Sequence, residues 1–213
     1  MIKFLKVILL SFIALNLKGQ TIKVYNQHSV GFSFSDYSSV GSFGIGEILQ
    51  VNKRIPFRIL AKTNYSANLL KPNIYHSTDK IKANDFVLEK SYFHSNIDLM
   101  LGGEVFYKNY GFGISSELAS FSFGKSISDT KYSDSKILEV NPIKFTHIFS
   151  NKEQRNLRTT LYFVYTVSES FSVKLGATNQ KNILKLTNID NQNRYVSGGT
   201  LAPFISLRFN LEK

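Results

Sequence analysis

NIDLMLGGEVFYKNYGFGISSELASFSF, from Asn96 to Phe123, reads as two strands joined by a turn at Lys108 to Tyr110. In both halves apolar residues alternate with polar or small ones, and a period of two residues is typical of an extended strand with two different faces. The apolar face of the pair contains no charge, whereas the other face contains three acidic residues. The alternation puts Leu118 on the apolar face and Ala119 on the polar face.

Strand length separates two interpretations of this hairpin. Each strand runs to about a dozen residues, whereas strands in soluble proteins are commonly about 5–6 residues long. A tilted strand needs roughly 9 to 11 residues to cross a bilayer. A soluble sandwich would also alternate, but the length favours a barrel wall with lipid outside and polar groups inside.

The amino terminus has the pattern of a secretory signal. Lys3 and Lys6 precede the apolar run Val7 to Leu15, which is followed by the polar segment Asn16 to Gln20. This order is typical of a signal peptide, and the apolar run is too short for a spanning helix, which needs about 20 residues. We therefore predict a signal peptide over residues 1–20 and a single β-barrel domain over residues 21–213.

Composition excludes several classes of site. The chain contains no cysteine, so disulfides, a lipid-modified cysteine and thiolate-bound metals are impossible. The net charge is +11, but the lysines and arginines are scattered, whereas a nucleic-acid footprint would be clustered. We predict no cofactor and no nucleic-acid partner; a solvated or headgroup-facing surface accounts for the basic excess.

Counting the alternating runs gives an inconsistent total. Besides the hairpin, they are Ser29 to Ser35, Val40 to Val51, Phe57 to Tyr65, Ile137 to Phe149, Leu157 to Val167, Phe171 to Thr178 and Leu201 to Leu211. Nine runs cannot form a typical outer-membrane barrel, which has an even number of strands. Splitting the run at Pro142, or adding Ile183 to Thr187, gives ten; omitting the first run gives eight. We predict an all-β, closed, antiparallel, up-and-down transmembrane β-barrel of eight to ten strands, with ten favoured.

One charge interrupts the apolar pattern of the second run. Glu47 lies among Phe43, Ile45 and Leu49, and a carboxylate facing lipid is costly. A bulge near Gly44 or Gly46 would turn Glu47 away from lipid, and we predict one there.

With these residues in view, the chain resembles the small outer-membrane β-barrel family, porin-like, of Bacteroidota-type Gram-negative bacteria. The resemblance is carried by the signal, the glycine-rich hairpin Leu101 to Ser115, the segment Leu138 to Phe149 and the aromatic-containing last strand. It implies export to the outer membrane and contact with its lipid. The chain departs from the family by continuing past Phe209 to Lys213, since such barrels commonly end on an aromatic residue.

A set of charged residues falls on the inward faces of the predicted strands. In a narrow barrel these side chains would fill the lumen and form ion pairs, so we predict a structural plug. The set is Arg58, Lys62, Asp98, Glu104, Glu117, Lys144, Arg158, Lys174 and Arg208. Two alternatives stay open: a narrow pore for small solutes or anions, and a secreted lipocalin-like barrel that binds a small apolar ligand.

The longest predicted loop, Leu70 to Ser95, is the candidate recognition segment, because loops on a rigid barrel are accessible to partners. The candidate residues are the charged side chains of the run Asp79 to Lys90, namely Asp79, Lys80, Lys82, Asp85, Glu89 and Lys90. An ordinary solvated loop has a similar composition. The leading function is a non-enzymatic structural, adhesive or partner-binding role, with another envelope or extracellular protein as the partner.

Catalysis has weak support in the sequence. His147 lies three residues before Ser150, but a regular strand would point the two side chains to opposite faces, and no acid is placed to orient the imidazole. His28, His76 and His94 lack metal-ligand spacing. We predict no enzymatic activity, no catalytic residues and no metal site.

Overall fold

The computed structural model describes residues 21–52, 57–78, 85–126, 137–150, 158–188 and 193–212. The predicted signal peptide, residues 1–20, lies outside these ranges. Within them the regular elements are strands, namely β1 Thr21–Phe34, β2 Ser38–Asn52, β3 Phe57–Leu70, β4 Asn73–Ser77, β5 Phe86–Leu88, β6 Tyr92–Tyr107, β7 Tyr110–Phe123, β8 Ile137–Pro142, β9 Phe145–His147, β10 Thr159–Ser168, β11 Phe171–Asn188 and β12 Asn193–Glu212. Among the described residues no helix is long and apolar enough to span a bilayer.

Eight long strands form a closed barrel. Around the wall the order is β1, β2, β3, β6, β7, β10, β11 and β12, and β12 pairs with β1 to complete the ring. Every pairing in the ring is antiparallel. The predicted all-β, closed, up-and-down architecture is confirmed, with a strand number at the lower end of the predicted range.

The preference for ten strands was wrong, because the run around Pro142 does not cross the barrel. Pro142 lacks an N–H and ends β8; β8 and β9 are short strands that pair with the far ends of β11 and β7. The first run is a true wall strand, and Ile183 to Thr187 is the continuation of β11. The strand number is therefore eight because the Pro142 run is not a wall strand, whereas the first run is one.

Bulge placement also differs from the prediction. The register of β2 with β1 and with β3 is continuous through Gly44 and Gly46, so Glu47 remains on the outward side of the wall, opposite Asn26 and Ala61. An irregularity lies instead in β7, where the pairing with β6 skips Leu118. Because one extra residue reverses the phase of a strand, Ala119 turns outward and Ser120 turns inward.

The two ends of the barrel are built differently. At one end two-residue turns join β6 to β7 and β10 to β11, and Lys108 adopts a left-handed φ of 54° in the first of them. At the other end two connections are long, running from 124 to 158 and from 71 to 91, whereas β1 is joined to β2 by residues 35–37 and β11 to β12 by residues 189–192. We call these the short-turn end and the long-loop end. The segment from Leu70 to Ser95 is accordingly not one continuous loop, since it contains β4, β5 and the start of β6.

Candidate functional site

Polar and charged side chains occupy the interior of the barrel, and apolar ones cover its outside. Glu104 is 0% exposed and Glu117 is 2% exposed, whereas Leu99 is 36% and Phe163 is 69% exposed. In a soluble protein the apolar side chains are enclosed and the charged ones are exposed, because burial of apolar surface drives folding in water. The interior is therefore the place where charged side chains of this chain can interact with one another.

Glu104 on β6 is the centre of an ionic cluster near the short-turn end, which we call the Glu104 cluster. Its Oε1 accepts hydrogen bonds from Lys174 Nζ at 2.7 Å and Tyr162 Oη at 3.0 Å. Arg208 Nη1 donates to Oε1 at 2.8 Å and to Oε2 at 2.7 Å, and Arg208 Nη2 donates to Ser172 Oγ at 3.3 Å. One carboxylate thus neutralises part of the charge of two buried cations, and since β6 and β12 lie on opposite sides of the ring, the Glu104–Arg208 pair crosses the lumen.

Asp98, Glu117 and Arg158 form a second ionic cluster closer to the long-loop end. Arg158 Nε lies 3.2 Å from Glu117 Oε1, and Arg158 Nη2 lies 3.9 Å from Asp98 Oδ2. Ser120 Oγ donates to Asp98 Oδ1 at 2.6 Å, and Ser66 Oγ donates to Asp98 Oδ2. Ser120 reaches Asp98 because the irregularity at Leu118 turns it inward, which strict alternation did not predict.

Two further cations of the predicted set face inward without belonging to either cluster. Arg58 Nε donates to Gln50 Oε1 at 2.7 Å, and the guanidinium carbon lies 4.0 Å from the centre of the Phe106 ring. Lys62 faces the lumen beside Leu60 and Asn64, and among the described residues it forms no ion pair. The interior of the wall therefore holds more cations than carboxylates.

Lys144 was wrongly placed in the lumen. Pro142 ends β8, so the alternation does not continue through residues 143 and 144, and Lys144 lies exposed in a bend before β9. Its carbonyl oxygen accepts a hydrogen bond from the Ser122 N–H at 2.8 Å. The side chain is a surface cation and belongs to neither ionic cluster.

An apolar core closes the long-loop end, and we did not predict it. It packs the β4–β5 hairpin and β8 against the extended ends of β3, β6, β11 and β12; its buried members are Leu70, Tyr75, Phe86, Leu88, Tyr92, Val140, Leu184, Leu186 and Val196. Burial raises the pKa of the Tyr75 hydroxyl, which lies on β4 outside the wall, above its ordinary value, so this side chain stays neutral. The available signal was on β11, where the last inward residues before the long-loop end, Leu184 and Leu186, are apolar; on β3 only the final residue, Leu70, is.

The predicted recognition residues fall on and around the β4–β5 hairpin. Asp85, Glu89 and Lys90 are exposed, and Asp85 Oδ1 lies 3.1 Å from His76 Nδ1. Asp79, Lys80 and Lys82 lie outside the described residues. The hairpin therefore displays charged side chains on a buried apolar base formed by residues such as Phe86.

His147 and Ser150 do not form a nucleophile–base pair. Ser150 Oγ accepts a hydrogen bond from the backbone N–H of His147 at 2.9 Å, and His147 Nδ1 accepts one from the backbone N–H of Phe149 at 3.2 Å. Both side chains thus satisfy a local turn. His94 is buried and stacks on Tyr92, and within the described ranges no group of three or more His, Asp or Glu residues could hold a metal ion.

The outer surface is apolar around the whole ring. Each of the eight wall strands exposes large hydrophobic side chains. Aromatic rings contact one another near the short-turn end, as in the pair Tyr110–Tyr165 with ring centres 5.3 Å apart, and near the long-loop end, as in Phe121–Phe145 at 4.5 Å. Aromatic residues at two levels with aliphatic side chains between them match the two interfaces and the hydrocarbon core of a bilayer.

Comparisons with known proteins identify no family for this chain. No family model matches the chain, and no curated protein does. Among solved structures, the chain is similar to the crystal structure of Neisserial surface protein A, with 11% sequence identity and a TM-score of 0.34 over 90% of this chain and 99% of that one. A likeness at that level adds nothing to the arguments drawn from this chain's own geometry.

Proposed function

We propose that this protein is an integral outer-membrane β-barrel whose lumen is closed and whose role is non-enzymatic. The observation that carries the proposal is the reversed distribution of side chains, with ionised groups enclosed and large hydrophobic groups exposed around a closed ring. Closure leaves no unpaired strand edge in the wall, which is the condition for a sheet to cross hydrocarbon. The predicted export signal at residues 1–20 fits the same location.

The function that fits this geometry best is presentation of a surface at the long-loop end. Two long connections lie there, the β4–β5 hairpin is anchored by an apolar core, and Asp85, Glu89 and Lys90 point to solvent. Because a rigid scaffold lowers the entropic cost of ordering a binding loop, such an end is suited to adhesion or to another envelope protein. The assignment to the Bacteroidota-type family stays a prediction from the sequence pattern.

Two alternative functions have less support. A pore for small solutes would need a continuous aqueous path, but the Glu104 cluster spans the lumen and the apolar core covers the long-loop end. A lipocalin-like carrier would need an apolar cavity, whereas seven hydroxyl side chains and two cations line the larger described cavity. A polar, ion-paired interior is the usual filling of a small membrane barrel.

Fractionation tests the proposal directly. We expect the protein in the detergent-extracted outer-membrane fraction, with a gel mobility that changes on boiling because the folded barrel resists dodecyl sulfate. Planar-bilayer recordings of the purified barrel should show no discrete conductance steps. A soluble, detergent-independent protein would contradict the membrane location, and regular conductance steps would contradict the closed lumen.

A further inference from the structure

A cavity midway along the lumen has the lining of an anion site. It offers about 30 Å³ to the centres of water-sized molecules, where roughly 10–15 Å³ suffices for one water. The lining contains Lys62, Arg158 and seven serine or threonine hydroxyls, and no carboxylate of the described residues contributes to it. Asn64 also lines it, with its amide group donating to Met100 Sδ at 2.7 Å and its Oδ1 without a partner among the described residues. Cations and hydroxyl donors without an acidic group are a combination that attracts negative charge.

Charge balance within the wall gives the second argument. Within the predicted set, three inward carboxylates, Asp98, Glu104 and Glu117, face five inward cationic side chains, and the Glu104 cluster and the Arg158 ion pairs use all three carboxylates. Lys62 is left without an ion pair among the described residues, although it lines both this cavity and a smaller one toward Lys174. Glu104 and Asp98 interact with the Lys62 ammonium group without contacting it, and an enclosed ammonium group with no contacting counter-charge is unfavourable.

A buried hydrogen-bond donor next to the cavity points the same way. Ser33, which lines the cavity, donates to Gln180 Oε1 at 3.5 Å. The Gln180 side chain is only 2% exposed, and its Nε2 has no partner within the described part of the chain. Buried amide donors are nearly always paired in native proteins, so the Gln180 amide needs an acceptor, although Gln180 is a neighbour of Ser33 and does not itself line the cavity.

We propose that the cavity binds one small monovalent anion, of the size of chloride, against the Lys62 ammonium group. A halide supplies the missing negative charge and accepts hydrogen bonds from several hydroxyls at once, and an ion of the size of chloride fits within the volume. The site is a closed structural site and differs from the anion pore considered above, since the Glu104 cluster and the apolar core obstruct both directions. Arg158 adds to the positive electrostatic potential of the cavity, but its guanidinium group stays paired with Asp98 and Glu117.

The test uses bromide as the probe on the folded, detergent-purified barrel. In crystals grown with bromide, we expect an anomalous peak next to Lys62 Nζ. We also expect the Tm to rise by about 3 to 6 °C when bromide exceeds its Kd tenfold, relative to sodium gluconate at equal ionic strength. The Lys62→Met variant should lose this dependence, whereas Lys144→Met, which removes an exposed cation, should keep it.

Each outcome decides the question. A cavity that holds only water in the bromide crystals, or a bromide dependence that Lys62→Met leaves intact, overturns the proposal. If Lys62→Met fails to show the boiling-sensitive mobility of a folded barrel, the bromide crystals of the unaltered protein decide alone. None of these results bears on the membrane location, which fractionation tests separately.

Discussion

Replacing Glu104 with glutamine should remove a large share of the stability of the barrel. Glutamine has nearly the same shape, so the packing around the Glu104 cluster is kept while its only carboxylate is lost. Lys174 Nζ at 2.7 Å and Arg208 Nη1 at 2.7 and 2.8 Å then lie against a neutral amide. Breaking a buried ion pair by removing one partner costs about 3–5 kcal/mol, and we expect a loss in that range for Glu104→Gln.

Urea unfolding of the barrel in lipid vesicles measures this cost, with the folded fraction read from gel mobility. The matched control is Glu89→Gln, which makes the same chemical change at an exposed position of the hairpin end. A drop in the urea midpoint with an unchanged m-value would show that stability alone changed. The double variant Glu104→Gln/Lys174→Met should recover part of the loss, because it also removes one of the uncompensated cations.

The opposite result is equally clear. If Glu104→Gln unfolds within about 0.5 kcal/mol of Glu89→Gln, which is the range of ordinary surface substitutions, then the cluster does not hold its cations through this carboxylate. The reasoning about the lumen would then be refuted at its best-defined contact. If the double variant Glu104→Gln/Lys174→Met were less stable than Glu104→Gln alone, the charge argument would be refuted in the same way.

Three further outcomes follow from the wall and its ends. Phe163→Arg should destabilise the vesicle-inserted barrel by about 1–2 kcal/mol, since the side chain would face hydrocarbon between the midplane and the interface, whereas the same change at Phe149, which is 85% exposed beyond β9, should cost less; equal urea midpoints would argue against a membrane location. Gly113→Ala should lower the urea midpoint because its new Cβ would lie 2.6 Å from Tyr162 Cε2, whereas Gly41→Ala meets nothing closer than 3.6 Å and should be nearly silent; similar midpoints would contradict this packing. Phe86→Ala should speed proteolysis of the β4–β5 hairpin on intact cells while leaving the boiling-dependent mobility unchanged, because it opens the apolar core and not the wall; an unchanged cleavage rate would show that the core does not anchor the hairpin.

The alternation of side chains was sufficient to predict the wall strands. The residues that face the lumen and those that face outward can be told apart within the sequence of each strand. The alternation around Glu104 and Lys174 placed both side chains inward, and the two-residue turn at Lys108 needed only local residues. Strand number was harder, because the run near Pro142 alternates like a wall strand, and only its pairing with the far end of β11 shows that it does not cross.

The remaining differences depended on contacts between distant parts of the chain. The irregularity at Leu118 can be recognised only from the pairing of β7 with β6. The sequence of β7 alone therefore did not indicate that Ser120 turns inward toward Asp98. Glu47 led us to expect a bulge that β2 does not contain. The apolar core at the long-loop end joins segments from β3 to β12, so the apolar inward residues at the end of β11 show only one part of it.

The Glu104–Arg208 contact also limits how wide this cylinder can become. The two residues lie on opposite strands, and their side chains meet at 2.7 Å across the full diameter. The diameter of a barrel grows roughly in proportion to its number of strands, so duplicating one hairpin would carry the carboxylate and the guanidinium out of each other's reach. A larger relative of this protein would therefore have to exchange its central ions for other residues as its circumference increased.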